Sequence, residues 1–65
     1  MEKLFYLNDA DFEFKGKVYH YIKCINDDGN SFNVRRTKEK QYEKFEPVDY
    51  EFEIKKSGKL GLYEI

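Results

Sequence analysis

Lysine and tyrosine alternate through one short stretch, at Lys17, Tyr19, Tyr21 and Lys23, with Val18, His20, Ile22 and Cys24 at the positions between and beyond them. Side chains of a strand point alternately to opposite faces. The first set therefore shares one face, two aromatics bracketed by two cations, and the second shares the other, mostly aliphatic. Tyrosines two residues apart stand roughly 6–7 Å apart along a strand, a spacing that consecutive splayed bases can meet. Each stacked base contributes about 1–3 kcal/mol, and neighbouring ammonium groups suit the phosphates. The same rings would also anchor a protein partner, because Tyr and Arg are enriched at interface hot spots. Either way, the chemistry is recognition.

Bond-making chemistry lacks its parts. His20 and Cys24 share a face but lie about 13 Å apart along a strand, whereas ligand atoms of one zinc ion sit about 2.0–2.3 Å from it. No second His or Cys completes a site, so both are assigned to the core. Asp27-Asp28-Gly29-Asn30 lacks the alternating ligands and closing glutamate of a calcium loop and reads as a turn. There is no nucleophile elbow and no glycine-rich phosphate loop. A non-enzyme is expected, with no catalytic residue, cofactor or metal.

Several strands must position the stripe. Leu4 to Leu7 is a short apolar run, and Phe12 and Phe14 alternate with Glu13 and Lys15. Gly16 is either a bulge in one long strand or part of a tight Lys15-Gly16 hairpin. Asn26-Asp27-Asp28-Gly29-Asn30 turns the Lys17–Ile25 strand into a partner at Ser31–Thr37. Matching the apolar faces, with Phe32 and Val34 on the inner one, brings Asn33 and Arg35 beside Tyr19 and Tyr21. Helix formers fill Lys38 to Glu46, with Thr37 as a candidate N-cap and Tyr42 and Phe45 on one face. Pro47 ends that helix. Val48, Tyr50, Phe52 and Ile54 then alternate with Asp49, Glu51, Glu53 and Lys55 as a half-buried strand, and Ser57-Gly58 leads to a last strand, Leu60 to Ile65.

The predicted order is three strands, a short helix and two strands, in one domain spanning residues 1–65. A small five-stranded barrel, closed or partly open, would protect the strand edges. This order, together with the stretch Tyr42-Glu-Lys-Phe-Glu-Pro-Val-Asp-Tyr-Glu-Phe-Glu-Ile54, resembles the helix, proline turn and fourth strand of small OB-fold proteins that bind single-stranded nucleic acid. An SH3-like barrel is the alternative. The OB-fold binds oligonucleotides on its strand 2–3 face. The resemblance thus implies a nucleic-acid-binding patch of Lys17, Tyr19, Tyr21, Lys23, Asn33 and Arg35.

Composition sets bounds on these readings. At 65 residues the chain carries six Phe and six Tyr, and each buried ring removes about 150–250 Å² from water. The net charge of −1 hides a basic middle. Residues 15–40 carry seven cations against three anions, whereas both flanks are acidic. That middle favours single-stranded DNA or RNA as partner. Acidic Asp49, Glu51 and Glu53 favour the alternative, a protein partner bound through the same tyrosines. The apolar last strand suggests a homodimer through the C-terminal strand. A lone Cys24, and no membrane span or signal peptide, suggest a cytoplasmic protein. Heavy Lys, Asn, Ile, Tyr and Phe usage in so short a reading frame is associated with phage or mobile elements.

Overall fold

A computed structural model describes residues 2–65. Eight strands follow one another: β1 (Leu4–Asp9), β2 (Phe12–Phe14), β3 (Lys17–Tyr19), β4 (Tyr21–Ile25), β5 (Ser31–Arg35), β6 (Pro47–Val48), β7 (Tyr50–Ile54) and β8 (Leu60–Glu64). Six form one curled, half-barrel sheet in the order β6-β1-β4-β5-β8-β7, and β2 and β3 form a separate two-stranded ribbon. All pairings are antiparallel except β5 with β8, which run parallel at Arg35 and Tyr63. The strands at the two ends of the order, β6 and β7, are consecutive in the chain and separated by Asp49 alone. No helix among the described residues is long and apolar enough to cross a membrane.

Turn chemistry sets the registers. Lys15 and Gly16 both take positive φ, 52° and 77°, the backbone of a two-residue turn whose twist matches the strands it joins. Gly16 therefore closes a hairpin, which resolves the bulge-or-hairpin choice. At the next turn the buried Asn26 carboxamide accepts from the Asp28 and Asn30 amides, at 3.0 and 2.9 Å. The side chain stands in for backbone there. The strand pair it closes sets Arg35 opposite Tyr21, beside the stripe as expected, whereas Asn33 lies opposite Lys23 and not beside Tyr19.

The core is small: Leu4, Ile22, Cys24, Val34, Val48 and Tyr50 are buried, with Tyr6, Phe32, Tyr42 and Leu62 packed around them. Ile22 and Cys24 follow the expected parity, but Val18 and His20 do not. The strand breaks at His20, whose carbonyl accepts from the Arg36 amide at 2.9 Å. Val18 stands half exposed because β2 and β3 project from the sheet and nothing covers their second face. His20 is exposed against Asp11, with Nδ1 to Oδ1 at 3.2 Å. His20, assigned to the core from the sequence, therefore lies outside it. The β7 row divides likewise: Val48 and Tyr50 are buried, while Phe52 and Ile54 run past the core into solvent.

The expected helix over Lys38–Glu46 is absent; that segment is irregular with one turn. Its backbone groups have other partners. The Phe45 amide donates to the Tyr6 carbonyl at 2.6 Å, and the Tyr6 amide donates to the Glu46 carbonyl at 2.9 Å. Phe45 has a φ of 66°, outside any right-handed helix. Thr37, the candidate N-cap, instead binds Glu64: its amide reaches Oε1 at 3.1 Å and its hydroxyl donates to the Glu64 carbonyl at 2.7 Å. The Lys38 amide and the Tyr42 hydroxyl donate to the same carboxylate. Helix propensity is worth only tenths of a kcal/mol per residue, about 0 to 0.7. A buried carboxylate with several donors outweighs it.

Candidate functional site

The ribbon β2–β3 pairs Phe12 with Tyr19 and Phe14 with Lys17. Directly opposed residues share a face, so Phe12, Phe14, Lys17 and Tyr19 stand together. Phe12 stacks on Tyr19 with ring centroids 5.4 Å apart and planes 22° from parallel. It also stacks on Tyr21, at 5.2 Å and 23°. The two tyrosines expected to bind on their own are thus bridged by a phenylalanine. Phe12 and Phe14 remain about half exposed, at 49% and 57%, so the cluster presents aromatic surface to solvent.

Cations edge this cluster. Lys17 Nζ lies 5.5 Å from the Tyr19 centroid, Lys15 Nζ lies 5.4 Å from that of Phe14, and Lys55 Nζ lies 5.9 Å from that of Tyr21. Lys55 arrives from the end of β7 by crossing β8 at Gly61. A Cβ on Gly61 would sit 2.7 Å from Lys55 Cε and 3.6 Å from Glu53 Cγ, so the bare glycine gives both side chains their passage. An open depression of about 380 Å³ joins the two regions, lined among others by Phe12, Tyr21, Asn33, Lys55 and Gly61.

Arg35 lies opposite Tyr21 as expected, but its charge is matched. Its Nε and Nη2 donate to the two oxygens of Glu53 at 3.1 and 2.7 Å, and its guanidinium lies 5.6 Å from the Tyr63 centroid. The hydrogen bond with Glu53 raises the Arg35 pKa and lowers that of Glu53 below the usual carboxylate range. Lys23 and Asn33 form an exposed pair one step further along the same face. Arg36, the next residue, is committed elsewhere: it pairs with Asp9 at 3.1 Å and donates to the Lys38 and Lys40 carbonyls.

Of the residues expected from sequence, Lys17, Tyr19 and Tyr21 meet in one cluster, Arg35 borders it through an ion pair, and Lys23 and Asn33 extend it along the ladder. Phe12, Phe14 and Lys55 belong to the cluster and were missed. A signal for the first two existed, since a Lys15-Gly16 hairpin places Phe12 across from Tyr19. Nothing local announces Lys55, which depends on the glycine of a neighbouring strand.

Beneath the site, Cys24 is fully buried. Desolvation, and secondarily the Glu64 charge, pushes its thiol up to about 11. No group of three or more His, Cys, Asp or Glu side chains among the described residues could hold a metal ion. No family model matches the chain, and neither a curated protein nor a solved structure matches it significantly.

Proposed function

We propose that this chain is a non-enzymatic module that binds single-stranded nucleic acid on the Phe12–Tyr19–Tyr21 face. The observation that carries the reading is the exposed, mutually stacked ring cluster edged by Lys15, Lys17 and Lys55. Because Phe12 occupies the space between the tyrosines, bases stack on the outer ring faces instead of sliding between them. Phosphates lie toward the lysines of the ribbon and of the turn after β7. Lys23 and Asn33 continue the track, while Arg35 contributes only when a phosphate competes with Glu53.

An OB-like barrel is the architecture proposed for it. The parallel pairing of β5 with β8 and the return of β6 to β1 support that reading. An SH3-like path, the alternative, would be favoured by hairpin-connected neighbours alone. The position of the site, on the second and third long strands beside a projecting ribbon, suits OB-type recognition.

The test is an anisotropy titration of a labelled single-stranded oligonucleotide at two salt concentrations. Micromolar binding that weakens with salt is expected, because each neutralised phosphate releases counterions with a slope of about 0.7 on single strands. A second reading, a protein partner on the same patch, is favoured by one observation: Glu53 neutralises Arg35 beside the rings. No oligonucleotide response at low salt would transfer the patch to that reading.

A further inference from the structure

Ile54 and Leu60 are the most exposed large apolar residues among those described, at 77% and 64%, and Phe52 is exposed at 49%. All three belong to the β7–β8 hairpin, where Ile54 pairs with Leu60 and Phe52 with Leu62, so they form one apolar face. β7 ends the sheet order and pairs only with β8. β8 lies between β5 and β7, laddered to β7 along its length and to β5 at Tyr63, whereas the far edge of β7 has no partner strand.

The register tells which backbone groups are free. The Lys55 amide donates to the Lys59 carbonyl at 2.8 Å, which makes that pair a hydrogen-bonded one. Antiparallel pairs alternate between bonded and non-bonded. Glu51 and Glu53 therefore bond to β8, while the amides and carbonyls of Phe52 and Ile54 point away from it. No backbone bond outside the ladders involves them. β7 has no proline, and its register with β8 runs without a shift, so apart from the charges of Glu51 and Glu53 it lacks the usual devices that stop an edge from pairing.

We propose that the open edge of β7 pairs antiparallel with β7 of a second copy of this chain, Phe52 opposite Ile54 of the other copy, about a twofold axis through Glu53. Only residues with free backbone groups bond in this register, and the apolar row becomes continuous across the axis. The charges are complementary: Glu51, which makes no ion pair among the described residues, lies opposite Lys55 of the second copy. Shifting the register to place Phe52 opposite Phe52 would set Glu51 against Glu53, so charge selects the first arrangement. Glu53 meets its own copy at the axis, with each carboxylate already paired to Arg35 at 2.7 Å. Lys55 now rests over Tyr21 at a long 5.9 Å and swings to Glu51 on association. The arrangement is isologous, so it closes as a dimer.

Sedimentation equilibrium on the full chain, from micromolar to millimolar protein, reads the proposal. A strand pair is a small interface, so the dimer should appear progressively across that range. Glu51→Lys sets like charges opposite each other twice and should weaken it roughly tenfold. Combining Glu51→Lys with Lys55→Glu should restore it. Ile54→Pro removes an outward amide, leaves the bonds to β8 intact, and should abolish the dimer while far-UV circular dichroism keeps the strand signature. A wild-type chain that stays monomeric at millimolar concentration overturns the proposal. So does a dimer indifferent to Glu51→Lys and Ile54→Pro, or one that the charge swap fails to restore.

Discussion

Phe12 and Tyr21 stack with ring centroids 5.2 Å apart although they belong to different sheets, Phe12 to the projecting ribbon and Tyr21 to the curled half-barrel. This contact fixes the ribbon against the sheet and turns two separate aromatic rows into one surface. Phe12→Ala should detach the ribbon face without unfolding the core, since Phe12 is half exposed and lies outside the buried cluster. An aromatic pair contributes about 0.5–1.5 kcal/mol beyond its area, so urea unfolding should register a loss of about that size. Nucleic-acid affinity should fall more, by roughly tenfold, because stacking surface and the placement of Tyr19 are lost together.

Glu53 holds Arg35 away from any phosphate. Glu53→Gln should therefore raise oligonucleotide affinity severalfold and steepen the salt dependence by the equivalent of about one further phosphate contact. If the patch instead serves a protein surface, the same change should weaken the complex. The ion pair also sets a pH dependence. Glu53 has its folded pKa lowered, so its contribution to stability is present above the unfolded carboxylate value and is lost as pH falls through the folded one. Acid titration of Glu53→Gln should lack that part of the stability decline.

Lys55 and Gly61 act as a pair. Gly61→Ala puts a methyl against the far end of a flexible side chain, which displaces Lys55 from Tyr21 at small cost to stability. Oligonucleotide binding should weaken by about as much as in Lys55→Ala, and the double variant should show no further loss. Additive effects would mean that Gly61 does not act through Lys55.

Glu64 organises the segment that lacks a helix. Glu64→Ala removes the acceptor of the Tyr42 hydroxyl and of the Thr37 and Lys38 amides; the two exposed residues can turn to water, and the part-buried hydroxyl left unpaired should destabilise the fold by about 1–3 kcal/mol. Hydrogen exchange should show the loss first in residues 37–46.

Cys24 reports the same interior at alkaline pH. Its pKa is raised by burial to about 11, so its neutral form belongs to the folded state. The stability it supports is whole below the unfolded thiol value, about 8.5, and declines as pH rises from there through 11. Tyr42, also raised by burial and by Glu64, falls in the same direction. Cys24→Ala should flatten part of that alkaline decline, and the native thiol should react with a disulfide reagent only as fast as the fold opens.

How far the sequence reaches is visible residue by residue. The pairing of Tyr21 with Arg35 and of Lys23 with Asn33 follows from the Asp28-Gly29 turn and the parity of Ile22 and Val34, all local signals. The loss of the helix over Lys38–Glu46 was not legible, because its cause, Glu64, is remote in the chain and arrives only when β8 packs. Val18 and His20 share the spacing of Ile22 in the sequence, but the strand breaks at His20, and spacing does not say how far the core extends beneath a strand. Lys55 joins the site only through the missing side chain of Gly61. Local pattern gives strands and registers; which strand ends overhang the core is a tertiary matter.

Base binding by the stacked rings is the property on which the proposed function stands. Its most direct test titrates single-stranded oligonucleotide into the wild-type chain and into Tyr19→Ala/Tyr21→Ala while following tyrosine fluorescence, with no tryptophan present to obscure it. Salt-sensitive quenching with micromolar affinity is expected in the wild type, with near-complete loss in the folded double variant. Equal affinity in the two proteins, or no quenching in the wild type at low salt, would contradict it.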